Sequence, residues 1–145
     1  MSSSTCRLIR LRWLTACGSC LMFCCFSAGA VPDGPPEAPG GALVFAIAAE
    51  PISVRRVVVT NTVTHQRFGD LIGTLSHGSQ FAVLNNHRDP MSPPPETFTY
   101  IYEDHEEGDP PNAQRTDGPG SLRNFVGEEG AGLWLMLMGK YHTLS

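Results

Sequence analysis

The chain has 145 residues, ten basic and fourteen acidic, for a net charge of −4. That length suits one domain and excludes two of ordinary size. The acidic balance disfavours nucleic acid and anionic membrane as partners.

In chain order, the first thirty residues differ from the rest. Arg7, Arg10 and Arg12 are the only charges before Val31, and residues 14–26 form an apolar run too short to span a bilayer. The run leads into Ala28-Gly29-Ala30. A basic start, a short apolar middle and small residues at the end predict a signal peptide over residues 1–30, cleaved between Ala30 and Val31. The product is then secreted and keeps no membrane span. A buried helix or an uncleaved anchor is the plainer reading. Lipidation at Cys17, after Leu14-Thr15-Ala16, is a further alternative, set too close to Arg12 for a proper apolar core.

All five cysteines (Cys6, Cys17, Cys20, Cys24 and Cys25) lie in this leader. The remainder is therefore expected to fold without disulfides, by burying a core of its own. Every acidic residue but only seven of the ten basic ones follow Ala30, so the net charge of that part is −7. Such a surface permits calcium without demanding it.

Residues 31–41 are a Pro/Gly linker, because proline lacks the N–H that helices and sheets need. Residues 42–145 form the expected domain. No stretch there has helical periodicity. Short β-rich runs alternate with turn residues instead, the pattern of a sandwich or barrel. Strands are predicted near 42–49, 54–63, 69–75, 81–85, 97–102 and 132–138. On the second, Val57, Val59, Val63 and His65 share one face, with Thr60, Thr62 and Thr64 opposite. Asn61 falls on the apolar face, a misfit. Residues 134–138 are apolar on both faces, as in a strand packed on both sides. Loops are expected at 76–79, 88–96 and 103–120.

The sequence offers few chemical constellations. A triad of Ser76, His65 or His77, and Asp70 lacks the Gly-x-Ser-x-Gly elbow, and Ser76 and His77 are neighbours whose side chains should diverge. His87-Arg88-Asp89 echoes a kinase catalytic loop without the glycine-rich loop or strand lysine that belong with it. Zinc is disfavoured, since no cysteine follows Ala30 and the histidines are scattered. The acidic run 103–109 is the one place where carboxylates could gather around calcium. Asp70, Glu103, Asp104 and Asp109 are the candidates, and a solvated acidic turn is the plainer reading.

Two stretches carry a resemblance. The first contains Thr64-His65, then Gly69-Asp70-Leu71, and after a loop Phe81-Ala82-Val83-Leu84. The second runs through Leu122, Phe125, Gly127, Gly132 and Trp134, with the acidic turn Glu128-Glu129 between the glycines. In order and spacing they resemble the P-domain, or Homo B domain, of kexin-like and furin-like proprotein convertases and of secreted bacterial proteases, over roughly residues 52–138.

The resemblance implies an eight-stranded jelly-roll β-sandwich, galactose-binding-like, that packs against a subtilisin-like serine protease domain and tunes it. It implies no catalytic residue here. His65 would be a core histidine, Gly69 and Asp70 a strand-entering turn, Phe125 and Trp134 core fillers, and Gly127 and Gly132 turn glycines. Three departures stand out: a shortened loop at 76–80, Gly139-Lys140-Tyr141-His142 where an Asp and a glycine turn are usual, and no final strand before Ser145. The last predicts an unpaired edge beside residues 134–138. The alternative function is a free-standing extracellular module that binds a glycan or protein, with calcium assisting.

Overall fold

The computed structural model describes residues 4–13, 24–26, 30–31, 38, 40–65, 68–88, 97–105 and 112–140. They build two β-sheets with almost no helix. The strands are β1 (Ser4–Trp13), β2 (Cys24–Phe26), β3 (Ala30–Val31), β4 (Gly40–Ala48), β5 (Val57–Thr64), β6 (Leu71–His77), β7 (Gln80–Asn86), β8 (Thr97–Tyr102), β9 (Ala113–Gln114) and β10 (Gly132–Lys140). One sheet runs β2-β1-β5-β8-β9, with β3 also on β1, and the other runs β4-β10-β6-β7. Every pairing is antiparallel except β8 with β9.

Period-two patterning decides which side chains meet between the sheets. From the first sheet come Val57, Val59, Val63, Tyr100 and Tyr102; from the second come Val44, Ala46, Leu71, Leu75, Leu84, Trp134, Met136 and Met138. Leu122 and Phe125, on a 3-10 turn capped by the Ser121 hydroxyl, complete this one cluster. Asn61 is fully buried in the row of valines, so the sequence misfit is a real feature of the core. On the opposite face, Thr62 and Thr64 of β5 hydrogen-bond Thr99 and Thr97 of β8 at 2.9 and 2.8 Å.

Several expectations need correcting. The strand containing residues 134–138 has ladder partners on both sides, β4 and β6, so it is not left with an open edge. Nor are both its faces covered: Leu133 and Leu137 stand about half exposed. The expected loop at 76–79 shrinks to Gly78 and Ser79, because β6 continues to His77 and β7 starts at Gln80. Gly78 has φ +57° at the first turn position, where hairpin turns favour glycine. In the full chain β1 lies along β5, from Thr5 opposite Thr64 to Trp13 opposite Val57.

The free edge of β7 is covered by the 117–120 segment. Gly118 N–H donates to Val83 O (3.1 Å), Val83 N–H to Pro119 O (3.0 Å) and Asp117 N–H to Leu84 O (3.3 Å). Asp117 also pairs with Arg88 at 3.1 Å and accepts from Asn86 N–H at 2.9 Å.

Candidate functional site

A nucleophile needs a base within reach, and the β6–β7 hairpin denies Ser76 one. Ser76 and His77 alternate along β6, so Ser76 points to the outer face and His77 inward. His77 Nδ1 lies 2.8 Å from Leu133 O and Nε2 2.7 Å from Glu129 O, so both ring nitrogens are engaged by the 129–133 turn. The same turn is held by the Glu129 carboxylate, whose Oε1 accepts from Ile52 N–H (2.8 Å) and Ala131 N–H (2.9 Å). Those backbone bonds hold the Glu129 carboxyl below its usual range. A ring committed at both nitrogens to backbone carbonyls is a brace, not a general base.

The remaining residues singled out from the sequence are dispersed. His65 is buried at the end of β5. Gly69 and Asp70 form the 3-10 turn Phe68–Asp70 leading into β6, with Asp70 buried. Gly69 is not among the glycines with positive φ, so left-handed backbone freedom does not explain it; its carbonyl accepts from His87 Nδ1 at 2.8 Å. Left-handed backbone occurs instead at Gly127 (φ +87°) and Gly132 (φ +107°), which flank the turn before β10. Phe125 and Trp134 are in the core with centroids 5.2 Å apart.

The described part of the acidic connection is neutralised by the protein itself. Glu103 is buried and its Oε1 lies 2.6 Å from Arg56 Nε. Asp104 is buried too, and four donors fill its carboxylate: Thr116 N–H on Oδ1 (3.0 Å), and on Oδ2 the Thr116 hydroxyl (2.9 Å), the Ser121 hydroxyl (2.7 Å) and Leu122 N–H (2.7 Å). Burial acts to raise its pKa, but these bonds outweigh it and hold the carboxyl below its usual range. Arg123 Nε donates to Asp104 O at 2.6 Å. Asp104 therefore ties the end of β8 to the turn that carries Leu122 and Phe125. Of the four calcium candidates, Asp70 sits on a separate turn, Glu103 and Asp104 are committed to protein donors, and Asp109 lies outside the described residues. No group of three or more potential ligands gathers among the described residues.

His105 follows directly. Its two ring nitrogens are shielded from solvent and have no hydrogen-bond partner among the described residues. Burial lowers its pKa, as do Arg123 and Arg56, while Glu103 and Asp104 oppose them. Sequence patterning alone missed this cluster, since Arg56 and Arg123 come from distant segments.

The other feature that could bind something is a surface. On the outer face of the second sheet, Leu43, Phe45 and Ile47 of β4 are 59, 60 and 66% exposed. They stand in register opposite Leu137, Leu135 and Leu133 of β10. The chain matches no family model, no curated protein and no solved structure.

Proposed function

We propose that this chain is a secreted, non-catalytic jelly-roll module of the P-domain type, which stabilises or regulates a subtilisin-like serine endopeptidase domain in proteolysis. One observation carries the reading. The two stretches that resemble the P-domain are far apart in sequence yet meet in space: β6, entered through Gly69-Asp70-Leu71, ladders directly with β10, which holds Trp134. Leu71 and Leu75 from one stretch and Leu122, Phe125 and Trp134 from the other share a core. Agreement between a sequence pattern and a packed arrangement is what a common fold requires.

Co-expression with a subtilisin-like catalytic domain deprived of its own P-domain tests this. A co-purifying complex whose peptidase activity survives heating longer is the expected result. Failure to associate, with unchanged inactivation kinetics, would remove the protease reading. The exposed apolar sheet face favours a second reading, a free-standing extracellular module that binds another protein. Capture of an extracellular protein other than a protease, in place of the catalytic domain, would select it.

A further inference from the structure

We infer that the outer face of the β4-β10-β6-β7 sheet is a homodimer interface, taken by the same face of a second copy. This goes beyond the protease reading and does not depend on it.

The two outer faces of the sandwich are chemically opposite. That of the β5–β8 pair is a threonine surface whose hydroxyls bond one another, Thr62 with Thr99 and Thr64 with Thr97. The other carries Leu43, Phe45 and Ile47 beside Leu137, Leu135 and Leu133, with half-exposed Phe81 on β7. Leu43, Phe45, Ile47, Phe81, Leu133 and Leu137, each about half exposed or more, amount to on the order of 500 Å², within the range of patches that mark interaction sites. That is roughly two-thirds of the ~800 Å² each partner contributes to a stable interface, and the intervening polar residues of β6 make up part of the difference.

Charge selects the occupant. Among the residues of the four strands, Lys140 is the only Lys, Arg, Asp or Glu, and it is buried. The chain carries −4 overall, so copies repel one another across most of their surfaces. They can meet on this face without placing like charges together. An uncharged, apolar face can serve as its own complement, and a two-fold axis through it gives a closed, isologous contact. Two sheets stacked this way at about 10 Å reproduce the ordinary packing of a β-sandwich.

Sedimentation-velocity ultracentrifugation of the full chain over a concentration series tests this, alongside Leu137→Glu, Phe45→Glu and, on the opposite face, Thr62→Glu. Wild type and Thr62→Glu should form dimers that dissociate on dilution. Leu137→Glu and Phe45→Glu should weaken the dimer about tenfold or more. In parallel, benzoylphenylalanine at position 45, which preserves an aromatic side chain, should photo-crosslink to β4 or β10 of a second, isotopically labelled copy. The proposal fails if wild type stays monomeric, assembles into open-ended aggregates, keeps its dimer in both apolar-face variants, loses it equally in Thr62→Glu, or crosslinks elsewhere.

Discussion

The His77 ring lies flat on the Trp134 indole, centroids 4.0 Å apart and planes 6° from parallel, across the β6–β10 ladder. The indole N–H donates to Gly130 O at 2.9 Å, so the pair joins the sheet to the turn that precedes β10. Trp134 is 2% exposed. Trp134→Ala is expected to destabilise by about 3–5 kcal/mol, through lost burial and an unfilled cavity. Denaturant unfolding measures it, and an unchanged midpoint would mean that the tryptophan does not anchor the core.

Asp104 makes a second, polar link of the same kind. Asp104→Ala strips acceptors from Leu122 N–H and Thr116 N–H and should cost about 3 kcal/mol. Its carboxyl is held below the usual range when folded. The stability it contributes is therefore full above its unfolded value of about 3.9 and is lost as pH falls below it. Acid titration of wild type against Asp104→Ala should show the difference shrinking below about pH 4. A constant gap down to pH 2 would contradict the assigned bonding.

His105 gives a different pH window. Its pKa is lowered in the folded chain, first by burial and also by Arg123 and Arg56. The unfolded chain then binds a proton more readily, so stability is complete above the unfolded value near 6.5 and declines as pH drops through it. Thermal unfolding between pH 8 and pH 5 should show this decline in wild type and a shallower one in His105→Gln. Equal slopes would mean the imidazole is not held neutral by its surroundings.

Gly120 and Gly127 form a matched pair, with φ +80° and +87°. A Cβ on Gly120 would collide with Phe81 O, whereas one on Gly127 meets nothing within 4 Å. Gly127→Ala should cost about 1–2 kcal/mol for left-handed backbone alone. Gly120→Ala should cost clearly more, because the 117–120 segment would have to leave the β7 edge. Similar melting points for the two variants would show that the contact gives way easily.

Secretion should release a chain beginning Val31-Pro32, and Edman sequencing of secreted material reads this directly. Release also takes β1 away from β5. Hydrogen exchange of amides in residues 57–64 is then expected to be faster in the secreted chain than in the full one. Protein that starts at Cys17 would instead establish lipidation.

Much of the architecture was legible from residue periodicity. The alternation of valine with threonine over residues 57–64 predicted which side of β5 is buried, and β8 matched its expected span, 97–102, at both ends. Local patterning suffices there because a strand's two faces are decided by every second residue. Asn61 was recognised as an intruder on the apolar face for the same reason. What periodicity could not supply was the identity of neighbours. An apolar run such as residues 133–138 reads alike whether one or both of its faces are covered, and only the sheet order left Leu133 and Leu137 facing outward. The acidic residues 103 and 104 look like a solvated turn or a cation site in sequence. Their commitment to Arg56, Thr116, Ser121 and Leu122 arises because the fold brings together segments many residues apart, and a buried carboxylate must find its donors wherever the chain returns.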